Sequence, residues 1–105
     1  MTWVRVGATA ELLPGEYRVV YDGDTPIAVF NIDGDLYAIE DICTHDGGEL
    51  TGGVIEGRQV ECPRHGARFD IVTGEALTPP AYEPTATFPV KVEDGVVYTR
   101  DDRLD

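Results

Sequence analysis

The chain contains only two cysteines and two histidines, and all four fall in one window: Cys43-Thr44-His45 and Cys62-Pro63-Arg64-His65. Soft thiolates suit iron–sulfur irons or zinc, and imidazole suits either metal. Each half offers one thiolate and one imidazole from a tight stretch, and residues 46–61 leave room for two separate loops that the fold brings together. Such a set can serve an iron–sulfur centre with two thiolates on one iron and two imidazoles on the other. It can also serve a four-coordinate zinc site. A Cys43–Cys62 disulfide is a third reading, although in a cytosolic protein a metal or catalytic role outranks a structural bridge. Cysteine and histidine alternate within each half, whereas zinc fingers usually pair like with like. A disulfide leaves the neighbouring glycines unexplained. Glycine beside the ligands lets backbone N–H groups approach anionic sulfur with no Cβ in the way.

The elements that must position these loops read as all-β. Thr2–Val6 and Tyr17–Tyr21 are expected strands, with one helical turn near Thr9–Leu12 before Pro14-Gly15. A turn at Asp22-Gly23-Asp24 leads into the apolar run from Ile27 to Ile32. Asp33-Gly34 and Asp94-Gly95 are hairpin signals, the first leading to Leu36–Ile39 and the second joining Thr87–Val92 to Val96–Thr99. Between them, Ile42 to Arg68 is glycine-rich, with a short strand pair expected at Val54–Glu56 and Arg58–Glu61. Short, closely spaced strands of this kind form small antiparallel sheets. Trp3 and the tyrosines (Tyr17, Tyr21, Tyr37, Tyr82, Tyr98) are expected to pack on sheet faces, and Asp101 to Asp105 to fray. Arg64 and Arg68 read as solvated loop arginines ahead of docking contacts, and Asp46 and Glu49 as loop polar groups or as steering charges.

With 105 residues, 42% hydrophobic and 27% charged, the chain is expected to form one globular domain. No apolar run reaches membrane-spanning length, and the start carries no signal-peptide pattern, so a cytoplasmic location is expected. A net charge of −12 disfavours nucleic acid and anionic membranes; it favours a partner with a basic docking face, and taken alone it equally fits an acidic surface that simply keeps a small protein soluble.

Cys43-Thr44-His45 with Cys62-Pro63-Arg64-His65-Gly66 resembles the Rieske cluster motif. The Asp-Gly hairpins, the Glu40-Asp41-Ile42 lead-in and Pro79-Pro80 are similar to the stand-alone Rieske ferredoxins of bacterial aromatic-ring-hydroxylating dioxygenases. The resemblance implies a single Rieske domain over 1–105: a base of small antiparallel sheets carrying a two-loop cluster-binding subdomain at about 42–80. It implies one [2Fe-2S] cluster per chain, with Cys43 and Cys62 on the buried iron, His45 and His65 on the outer iron, and Pro79-Pro80 as a covering loop. It implies a monomeric one-electron carrier, not an enzyme by itself, working between an NAD(P)H-dependent flavoprotein reductase and a terminal oxygenase. The small Rieske subunit of an NAD(P)H-dependent nitrite reductase and a zinc-stabilised interaction module are the alternatives. Respiratory Rieske proteins add a cysteine pair that bridges the loops; here Arg64 stands at one of those positions, and Ala67 replaces a serine that would hydrogen-bond the cluster. No histidine remains for the mononuclear iron of oxygenase α subunits, so substrate chemistry within this chain is excluded.

Overall fold

The computed structural model describes residues 2–104, which form ten strands in three antiparallel sheets. The strands are β1 Val4–Ala8, β2 Tyr17–Asp22, β3 Thr25–Ile32, β4 Asp35–Glu40, β5 Ile55–Glu56, β6 Gln59–Glu61, β7 Arg68–Asp70, β8 Thr87–Phe88, β9 Val90–Glu93 and β10 Val96–Thr99. The only helical pieces among the described residues are 3-10 turns at Thr9–Glu11 and Asp102–Leu104. Strand orders are β1-β10-β9, β2-β3-β4-β8 and β5-β6-β7.

The β3–β4 hairpin is the spine. Asp33 and Asp94 both take positive φ (53° and 52°), the conformation that lets an Asp-Gly pair reverse two twisted strands. Alternation along β3 then divides its side chains between two cores. Ala28 and Phe30 join Ile39, Leu50, Phe69 and Ile71 around Cys43 and Cys62. Ile27 and Val29 join Val6, Leu12, Ala38, Phe88 and Val97 on the other face. The four-stranded sheet is therefore packed on both sides, which explains why the middle of β3, Ile27 to Phe30, is apolar at every position.

Four local expectations differ from the structure. The stretch 87–92 is two strands in two sheets, because Pro89 has no N–H to continue a ladder; its carbonyl instead accepts the Thr99 hydroxyl at 2.8 Å. A third strand, β7, pairs with β6 through Val60 and Phe69. The segment from Asp101 is anchored, with Asp105 outside the described residues. The Asp101 carboxylate, 3% exposed, accepts Thr25 Oγ1 at 2.8 Å and Arg103 Nε at 2.9 Å, and Arg103 also reaches Glu40. Tyr21 and Tyr82 are exposed, not packed on a sheet face.

The Arg103 guanidinium, with help from the Thr25 hydroxyl, pulls the Asp101 carboxyl down to about 2. A lowered native pKa means that the stabilisation is complete above the unfolded value and is lost as pH falls through the folded one. Asp101→Asn is expected to cost about 2 kcal/mol at neutral pH. The gap from the parent should hold from pH 7 to about pH 4 and close toward pH 2. Urea unfolding followed by Trp3 fluorescence measures it, and equal stabilities at pH 7 would show that the anchor carries no weight.

Candidate metal centre

The two candidate loops close in the same way. In the first, the Cys43 N–H donates to Gly48 O and the Gly47 N–H donates back to Cys43 O, each at 2.7 Å. In the second, the Cys62 N–H donates to Ala67 O at 2.7 Å and the Gly66 N–H to Cys62 O at 3.0 Å. Gly47 and Gly66 hold these turns at φ +77° and +75°, where a Cβ is unfavourable. Each ring therefore turns its cysteine inward and leaves its histidine outside. Cys43 and Cys62 are free thiols, 0% and 1% exposed, inside the core with Phe30 and Phe69. His45 and His65 are exposed, with ring centroids 4.8 Å apart at an interplanar angle of 85°.

The structure thus brings all four predicted residues to one site, arranged in two levels. The two sulfurs fall in one group with Asp46, and the imidazole nitrogens fall in another with the same carboxylate; within each group the donor atoms lie within 4.8 Å of one another. Burial pushes the Cys43 thiol up, against backbone N–H groups of His45 and Asp46 that point at its sulfur, and the adjacent Cys62 adds to the rise. Two thiols this close in an apolar core resist ionising together. A bound iron would remove that conflict, so a donor set of two buried thiols and two exposed imidazoles fits a [2Fe-2S] group.

Residues whose supporting part the sequence does not reveal lie around the loops. Asp41, 3% exposed, closes the first loop at its base: Oδ1 accepts the N–H groups of Leu50 at 2.9 Å and Thr51 at 2.8 Å, and Oδ2 accepts the Thr51 hydroxyl at 2.7 Å. Its only sequence signal is its place just before the first cysteine. Arg64 is not a free solvated side chain. It grips Asp46 through Nε at 2.6 Å and Nη2 at 3.1 Å. This pairing holds the Asp46 carboxyl well below the usual range and raises the guanidinium in turn. Beside the loops, Ala81 is buried with the two cysteines, and Glu83 O accepts the Thr44 hydroxyl at 2.6 Å, so the chain after Pro79-Pro80 lies against the first loop.

This fold and donor set define a small all-β iron–sulfur protein. Residues 2–89 match the Rieske [2Fe-2S] domain, and the chain belongs to that family. It is 36% identical over 92 residues to the ferredoxin component of the naphthalene 1,2-dioxygenase system of Pseudomonas putida, spanning 88% of each chain. A chain of the solved complex of reduced oxygenase and oxidized ferredoxin in carbazole 1,9a-dioxygenase has a TM-score of 0.88 at 37% identity, covering 93% of this chain and 92% of that one. The ferredoxin of Sphingomonas yanoikuyae B1 has a TM-score of 0.85 at 38% identity, covering 95% and 99%. The fold and cofactor expected from the motif hold. No helix among the described residues is long and apolar enough to cross a membrane.

Asp41→Ala removes the acceptor of the Leu50 and Thr51 N–H groups and of the Thr51 hydroxyl, leaving buried donors unpaired, at a cost of about 1–3 kcal/mol. The loosening is expected to be local. On heating, the visible absorption of the holoprotein should fade before the Trp3 fluorescence changes, whereas the parent loses both together. Coincident transitions in the variant would mean that Asp41 does not hold the loop.

Proposed function

We propose that the chain is a one-electron carrier that takes electrons from an NAD(P)H-dependent flavoprotein reductase and delivers them to a terminal aromatic-ring-hydroxylating oxygenase. It works as a cytoplasmic monomer, a single domain over 1–105 with a cluster-binding subdomain at about 42–80. Cys43 and Cys62 hold the inner iron and His45 and His65 the outer one. The observation that carries this reading is the two-level site: thiols sealed in the core beneath imidazoles that face solvent. A tetrahedral zinc ion would draw all four donor atoms to within about 4 Å of one another. The sulfurs and the nitrogens instead form separate groups, which favours two metal positions.

A Rieske centre supplies reversible one-electron storage, and the protein sets where and at what potential that happens. The core residues Phe30 and Phe69 keep water from the thiolate side. The exposed imidazoles bring the outer side to the surface, where a partner can approach closely. The charge of −12 gives a basic partner a long-range attraction that salt weakens.

Purified holoprotein should contain iron and acid-labile sulfide at about two each per chain. Replacing either Cys43 or Cys62 with Ser should abolish both, while stoichiometric zinc without sulfide would overturn the reading. Electron transfer with the reductase and the oxygenase should slow as salt rises; a rate indifferent to salt would leave the acidic surface with no docking role.

With Ala67 at the position where a serine would hydrogen-bond the cluster, the midpoint should sit low in the Rieske range, at about −150 mV. Ala67→Ser should raise it. EPR-monitored titration decides, and a parent midpoint above about +100 mV would refute the hydrogen-bond argument.

A further inference from the structure

Arg64 stands where the two candidate ligand loops meet. Besides gripping both carboxylate oxygens of Asp46, its Nη2 donates to Glu49 O at 2.8 Å and lies 3.4 Å from Cys62 Sγ. Asp46 and Glu49 belong to the first loop and Arg64 to the second, so one guanidinium spans both. The first loop is shaped to receive it. The Gly48 N–H donates to Asp46 Oδ1 at 2.9 Å and fixes the carboxylate. A Cβ at Gly48 would fall 2.5 Å from the guanidinium carbon, so the loop backbone itself forms the seat. An ordinary surface ion pair contributes little. This one is a fork with four acceptors, one of them a sulfur beneath the site.

Asp46 explains why such a cation is needed. Its carboxylate lies 3.6 Å from His65 Nδ1 and falls in both donor groups, so an unpaired charge there would oppose reduction, and a free oxygen would compete for a metal. Arg64 engages both oxygens.

We infer that Arg64 is a positioning residue. It locks the two ligand loops together without a covalent bridge and holds a charged N–H donor at the Cys62 sulfur, which raises the midpoint and slows loss of the cluster. The inference rests on Cys62 being a cluster ligand, as proposed above. A cationic donor at a ligand sulfur stabilises the reduced centre more than the oxidised one, because the reduced centre carries one more negative charge.

The test compares the holoprotein with Arg64→Gln, Arg64→Lys and Arg68→Gln. The last is a charge control: Arg68 pairs with Glu56, Glu61 and Gln59, not with sulfur. Bleaching by an iron chelator should accelerate roughly 10–100-fold in Arg64→Gln. Its midpoint should fall by more than that of Arg68→Gln. Arg64→Lys keeps the charge but not the fork, so it should bleach faster than the parent and show a smaller fall in midpoint. If Arg64→Gln holds no cluster, the clamp is supported, and both readings are taken on Arg64→Lys. Variants that bleach at the parent rate, or an Arg64 midpoint shift no larger than the Arg68 control, would overturn the inference. A parent protein lacking iron and sulfide would instead defeat the cluster reading itself, so the two failures are distinguishable.

Discussion

Two cysteine sulfurs placed side by side in an apolar core are a standing conflict. Burial and the neighbouring Cys62 both oppose thiolate formation at Cys43, yet thiolates are what a metal requires. The surroundings of Cys43 and Cys62 are arranged around that conflict. Backbone N–H groups of His45 and Asp46 point at the Cys43 sulfur, and Arg64 brings a cation to Cys62. The imidazoles of His45 and His65 remain outside this core, exposed to solvent. Burial beneath and exposure above then set the direction from which a partner must come.

Packing meets the same demand. Because β3 is buried on both faces, its alternation assigns Ala28 and Phe30 to the cysteines and Ile27 and Val29 to the base. A one-residue slip in the β3–β4 register would exchange these sets, exposing the sulfurs to the wrong neighbours and opening both cores at once. The Asp-Gly turn at Asp33-Gly34, with Asp33 at φ 53°, fixes that register from a purely local preference.

What could be read from the sequence was local or compositional. The hairpins announced themselves because Asp-Gly pairs favour positive φ, and the four candidate ligands because no other cysteine or histidine competes with them. The resemblance to a known family supplied the inner and outer assignment that spacing alone leaves open. What escaped was set by contacts between distant residues. Nothing near Asp101 signals that Thr25 will donate to it across the chain. The short strand Arg68–Asp70 exists through its partners on β6 more than through its own pattern. Arg64 looks like any loop arginine until Asp46 and Glu49 are brought opposite it. Pro89 could have been caught, since proline inside a run of strand formers argues for a break.

The sheet order also has a consequence for synthesis on the ribosome. Among the described residues, strand β1 has no sheet partner other than β10, so Val4–Ala8 must wait, unpaired, until Val96–Thr99 has emerged. Every buried residue packed with the two cysteines lies between Ala28 and Ala81 and leaves the exit tunnel earlier. Translation therefore delivers the whole cysteine-bearing half before the base can close, and the sheet formed by β1, β9 and β10 is the last to assemble.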